Sequence, residues 1–168
     1  NQVSTNWPGA LQAMSESQWI AGRGGAALWF DGTNDYVSVN QSGGAVVTGA
    51  PFTVAAVIWQ DAAGTSDYPT VVSDGQVLSD SRWPGYILRY WRSQNRLVGY
   101  AGNTNAGIGG IAATNWSPGQ VGRWVDVALA HDGTRARLFV DGMEVAAATQ
   151  GFQAYRQAEL RIGGGHVN

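Results

Sequence analysis

The chain has 168 residues, no cysteine, 24 glycines and a formal net charge of −2, which suggests one domain large enough for a two-layer core. Without cysteine there are no disulfide staples, and redox chemistry names no compartment. The weak net charge gives no case for nucleic acid or an anionic membrane as partner, and no run approaches the roughly 18 apolar residues of a membrane insertion. Every basic residue is arginine, and eight tryptophans are present, enough to raise the expectation of an aromatic recognition surface beside the core. No signal peptide is visible. The sequence starts at Asn1 rather than Met, as expected of a processed product, an excised domain or a sequence lacking its true start.

Residues 1–25 read as an irregular, polar lead-in ending in Gly22–Gly25, and residues 26–168 as one sandwich domain. Ala26–Phe30 is the first expected strand, closed by Asp31-Gly32. In Asp35–Asn40, Tyr36 and Ser38 alternate with Val37 and Val39, the period of two that marks a strand. Phe52–Gln60 is apolar on both faces, as in a central strand covered on both sides. Pro69–Ser73 is a short strand before the Asp74-Gly75 turn, and Gln76–Pro84 is a loop. Gly85–Arg92 and Arg96–Ala101 form a hairpin, and Gly102–Pro118 reads as a long Gly/Asn/Thr loop, a length often tied to function.

The most regular stretch is Arg123–Val145, RWVDVALAHDGTRARLFVDGMEV. Val125, Val127, Leu129 and His131 share one face, and two Asp-Gly pairs supply the positive-φ positions of hairpin turns. It is a three-strand meander with one face on a core. Ala146–Arg156 is small and polar, and Leu160–Ile162 is the last visible strand. Short strands at this spacing, with no helical period, predict an all-β antiparallel sandwich.

The pattern W-x-x-V-A-L-x-x-D-G-x-x-x-R-L-F-V-D-G-x-x-V resembles the central signature of laminin-G-like, concanavalin A-like jelly-roll domains. ALWFDGTNDYVSV (Ala27–Val39), PFTVAAVIW (Pro51–Trp59), GYILRY (Gly85–Tyr90) and LRIGGG (Leu160–Gly165) fit in order. The resemblance implies a jelly-roll β-sandwich with Trp124 in its packing. It is weak on function, because this fold hosts lectins, glycosidases, adhesion modules and structural domains. The resemblance also includes a closing strand, which this chain lacks. That implies an open slot between Ala26–Phe30 and Arg161-Ile162, filled by residues 1–20, by a strand-donating neighbour chain or subunit of a homo-oligomer, or by a segment cut from the same precursor.

Catalysis is not expected. Glycosidases of this fold carry closely spaced carboxylates, and glycoside hydrolysis normally needs two, whereas Glu16, Glu144 and Glu159 stand apart. His131 and His166 have no Ser or Cys arrangement around them and read as structural. The candidate ligand site is an aromatic platform. With Tyr86, Leu88 and Tyr90 facing the core, Arg89 and Trp91 face outward with Tyr100, and Trp59 is expected on the same concave face. Asn103 and Asn105 in the adjoining loop complete the expected ligand-binding set. Flat rings stack on a pyranose while Arg and Asn donate to its hydroxyls. No cofactor is required, although loop oxygens at Asp31, Asn34, Asp35, Asp67, Asp74 and Asp80 suit Ca²⁺, with Asp80 the metal candidate. Most of these aspartates read as turn caps. The expected function is a non-catalytic, lectin-like recognition or adhesion module for carbohydrate at an extracellular or virion surface. A decoration or assembly domain contacting protein is the alternative.

Overall fold

The computed structural model describes residues 9–40, 47, 49–61, 66–75, 84–102, 110–113, 122–155 and 159–165, and statements of structure below refer to these. The strands are β1 (Gly9–Gln12), β2 (Trp19–Gly22), β3 (Gly25–Leu28), β4 (Tyr36–Val39), β5 (Phe52–Trp59), β6 (Thr70–Gly75), β7 (Gly85–Trp91), β8 (Arg96–Gly102), β9 (Gly110–Ala113), β10 (Trp124–His131), β11 (Arg135–Val140), β12 (Met143–Thr149) and β13 (Leu160–Ile162). A 3₁₀ turn at Glu16–Gln18 is the one helical element among the described residues. A seven-stranded sheet runs β1-β4-β13-β6-β7-β8-β9, a four-stranded sheet runs β12-β11-β10-β5, and β2-β3 form a separate hairpin.

The core lies between the two large sheets because both alternate. Leu88 and Leu97 from one sheet meet Val125, Val127, Leu129 and Leu138 from the other, each burial contributing about 1.5–3 kcal/mol before entropy is counted. The β11–β12 turn works as the sequence expects: Asp141 and Gly142 both adopt positive φ, 48° and 80°, the backbone of a two-residue hairpin turn. Gly85, at the head of β7, has φ of 94°, and a Cβ there would overlap the Asp74 carbonyl. That close backbone approach fixes where the β6–β7 pair begins.

Several expectations need correcting. The lead-in is not irregular: β1 pairs with β4 and β2 pairs with β3. Neither β1 nor β2 alternates: burial runs in blocks along each, and Trp19 and Ile20 are both exposed. The opening strand is Gly25–Leu28, and its partner is Trp19–Gly22 rather than a sandwich strand. Pairing of this strand by residues 1–20, one of the expected alternatives, is found, with Trp19 opposite Leu28 and Ile20 opposite Ala27, but no slot lies between it and the last strand, because β13 sits between β4 and β6. Asp74-Gly75 is not a turn: both residues lie within β6, opposite Tyr86 and Gly85. The long loop expected after Ala101 contains β9, whose Ile111 is in the core. The segment after Val145 continues β12 to Thr149. β5 is an edge strand rather than a central one; its core-facing Val54, Ala56 and Ile58 are only half-buried, whereas Val125 and Val127 on neighbouring β10 are almost fully buried.

Candidate functional site

The alternation of β7 and β8 sends Tyr86, Leu88, Tyr90, Leu97 and Ala101 into the core. Ile87, Arg89, Trp91, Val98 and Tyr100 therefore occupy the outer face, where Ile87, Val98 and Tyr100 form a second apolar cluster with Trp91 against it. Register places Arg89 opposite Val98 and Ile87 opposite Tyr100, so Arg89 and Tyr100 are diagonal neighbours within reach of long side chains. The Arg89 guanidinium carbon lies 4.8 Å from the Tyr100 ring centre and 4.8 Å from that of Tyr68. Its Nη2 donates to the Tyr100 hydroxyl at 3.1 Å. The cation is thus clamped between two electron-rich rings, a favourable arrangement.

Tyr68 reaches this face because its segment is tied to the end of β7. The Tyr90 amide donates to the Pro69 carbonyl at 3.0 Å and the Arg92 amide to the Asp67 carbonyl at 2.8 Å. Arg92 Nε donates to the Ser66 carbonyl at 2.9 Å. The Asp67 carboxylate accepts the Ser93 amide at 2.6 Å and the Ser93 hydroxyl at 3.0 Å, while Ser93 Oγ accepts from Trp91 Nε1 at 3.0 Å. The Ser93 amide bond is the main cause that holds the Asp67 carboxyl below the ordinary aspartate range. One carboxylate therefore fixes both rings: Tyr68 through the chain that follows it, and Trp91 through Ser93. The two rings stand 5.5 Å apart at 51°, and Tyr68 is 44% exposed.

Of the residues expected to form the platform, the fold brings Arg89, Trp91 and Tyr100 together. Tyr100 faces outward as expected, but at 8% exposure it is a buried support, not an open stacking surface. Trp59 must be removed from the set. It lies on β5 of the other sheet, 52% exposed, with its ring 5.7 Å from that of Trp124. The error came from reading parity within a strand without knowing to which sheet the strand belonged. Trp124 is likewise a half-buried outer-face residue and not part of the core. Asn103, Asn105 and Asp80 lie outside the described residues, as does His166. Tyr68 was missed because its segment reads as loop; the signal available was an aromatic between Asp67 and Pro69, one residue before a strand.

The other candidate chemistry resolves into structure. His131 is buried and stacks on Phe52 at 5.8 Å. Its Nδ1 accepts the Gly133 amide at 3.0 Å, so Nε2 carries the proton donated to the Gln150 carbonyl at 2.8 Å. Asp31 accepts the amides of Thr33 and Asn34, and Asp35 accepts the Asp31 amide and the Gln18 side chain. Both carboxylates thus act as caps of their own turn. No group of three His, Asp or Glu able to hold a metal occurs among the described residues. No helix among them is long and apolar enough to cross a membrane.

Residues 31–168 match the Concanavalin A-like lectin/glucanases superfamily. The chain belongs to that family. The concanavalin A-like jelly roll expected from the sequence is therefore shown by the family match as well as by the two-sheet sandwich. Among solved structures, carbohydrate binding module CBM66 from Bacillus subtilis is similar at 15% identity, covering 95% of this chain and 88% of that one, with a TM-score of 0.55. The galectin LEC-6 of Caenorhabditis elegans is similar at 13% identity over 70% of this chain and 78% of its own, with a TM-score of 0.46. Domains LG4-5 of the mouse laminin alpha1 chain align at 16% identity over 70% of this chain and 30% of theirs, also with a TM-score of 0.46. These identities speak for the fold alone. No curated protein sequence matches the chain.

Proposed function

We propose that this concanavalin A-like domain is a non-catalytic recognition module that binds carbohydrate on the outer face of its seven-stranded sheet, at an extracellular or virion surface. The observation that carries the reading is the built platform: Tyr68 and Trp91 fixed by Asp67 and Ser93, beside an arginine clamped between Tyr68 and Tyr100. Two rings at an angle offer a saccharide one stacking surface and one wall, and Arg89 supplies fixed donors. Asp67 is the carboxylate hydrogen-bonded within this set, whereas glycoside hydrolysis needs two acting together. Asn103 and Asn105 are retained as proposed contacts. Likeness of fold to a carbohydrate binding module agrees with this reading. A glycan array probed with and without Ca²⁺ tests it. Binding that is lost in Tyr68→Ala, without loss of fold, supports it, and an array silent under both conditions refutes it. Calcium dependence would assign the loop oxygens, Asp80 among them, a role in the site.

A second reading, assembly through protein contacts, is favoured by β5. This edge strand, FTVAAVIW, carries no charge and no proline, so it lacks the usual protection against pairing, and its core-facing side chains remain half-buried. Antiparallel pairing with a second copy would set Val54 against Ile58 and Val57 against Ala55. Light scattering decides this: a stable oligomer dispersed by Val57→Lys supports it, and a monomer at high concentration refutes it.

A further inference from the structure

Arg89 differs from the other arginines in what it is paired with. Arg23, Arg123, Arg137 and Arg161 each meet a carboxylate, at 2.6 Å to Asp126, 2.7 Å to Asp141, 3.1 Å to Asp132 and 2.6 Å to Glu159. Arg92 is bonded to the Ser66 carbonyl. These pairs are at least partly open to water, where charge is cheap. Arg89 is half-buried against an apolar cluster, where a counter-charge matters more, and among the described residues it has none. Of its five N–H donors, one is used, by the Tyr100 hydroxyl. Its Nε is buried with no hydrogen-bond partner. Two tyrosine rings hold the guanidinium flat and stationary, but a ring face neutralises only part of a buried charge. The guanidinium is therefore left electrostatically incomplete beside the exposed Tyr68 ring.

Resting on the carbohydrate reading, we infer that the saccharide bound here carries an anionic group, a carboxylate or a sulfate, that docks on Arg89. An oxyanion is the partner that a planar guanidinium lacking a counter-charge fits best. The clamp supplies the orientation in advance, so little side-chain freedom is lost on binding. Tyr68 and Trp91 then take the apolar face of the same or the adjacent ring. Neutral sugars can reach the rings but leave the charge uncompensated, and that difference becomes selectivity.

The test uses sets of oligosaccharides identical except at one position: hydroxymethyl, the same carbon oxidised to carboxylate, or the hydroxyl sulfated. Titration calorimetry on the full chain should show at least one acidic form binding tenfold or more tighter than its neutral parent. The preference should shrink between about 50 and 500 mM salt, vanish in Arg89→Gln and survive in part in Arg89→Lys. Carboxylate and sulfate arms separate the two sources of charge. The salt series on the unaltered protein keeps the test informative if Arg89→Gln fails to fold. Equal binding of neutral and acidic forms overturns the inference and leaves the carbohydrate reading standing. An acidic preference that persists in folded Arg89→Gln overturns the assignment to Arg89. Failure of every saccharide at millimolar concentration overturns both.

Discussion

Replacing Tyr100 by alanine should destabilise the domain far more than an outward-facing residue on a sheet normally would. The ring is 8% exposed, packs with Ile87, Val98 and Trp91, and forms one wall of the Arg89 clamp. Truncating a buried aromatic costs about 3–5 kcal/mol. The lower end applies, because half-buried Trp91 and Arg89 can relax into the space. Losing the cation–π contact adds about 1 kcal/mol. The sum, about 4 kcal/mol, corresponds to a fall in Tm of roughly 8–16 °C for a domain of this size. Tyr100→Phe keeps the ring and removes the acceptor of Arg89 Nη2, for about 1–2 kcal/mol. Urea denaturation followed by tryptophan fluorescence measures both. An alanine variant within about 1 kcal/mol of the parent would show that this face is not packed as described, and the clamp argument would fail with it.

Trp59→Ala should cost no more than about 1.5 kcal/mol, the value of one exposed aromatic pair, and should leave saccharide binding untouched; a binding defect would return Trp59 to the site. Gly99 faces Leu129 and Leu138, with an added Cβ 2.8 Å from Leu129 Cδ1. Gly99→Ala should therefore destabilise by about 1–3 kcal/mol through overpacking, and a neutral result in denaturant melts would mean that the sheets lie further apart. The pH dependence follows from Asp67. Its folded-state carboxyl titrates below the ordinary value of about 3.9, so its contribution is present above that value and is lost as pH falls through the lower, folded-state value. Saccharide affinity should hold from neutral pH down past the ordinary aspartate value and weaken only as the pH falls through the lower folded-state value, with a matching shift of the Trp91 indole resonance. Affinity that stays unchanged while the Asp67 carboxyl protonates in the still-folded protein would separate Asp67 from the platform.

What could be read from the chain depended on whether the information was local. The meander at Trp124–Val145 was legible because alternation and Asp-Gly turns act between residues a few positions apart, and Asp141-Gly142 adopts the expected backbone. The inward and outward faces of β7 and β8 were legible for the same reason, which placed Arg89, Trp91 and Tyr100 on one face. Sheet membership was not legible, since nothing within FTVAAVIW states that β5 pairs with β10 rather than β6, and Trp59 was misplaced on that account. β1 and β2 escaped notice because their burial does not alternate, unlike that of equally short β4, and β9 because it lies in a Gly-, Asn- and Thr-rich stretch. Tyr68 has no periodic signal at all. Its position is set by Asp67 and Ser93, 26 residues apart, a contact that only the folded chain creates.

The most direct test of the central claim is to ask which face of the sandwich a saccharide touches. An array-positive oligosaccharide titrated into ¹⁵N-labelled protein should shift the indole resonance of Trp91 and the Nε–H of Arg89. The indoles of Trp59 and Trp124, on the opposite sheet, should stay still. Shifts confined to Trp59 and Trp124, with Trp91 and Arg89 unmoved by saturating ligand, would contradict the account.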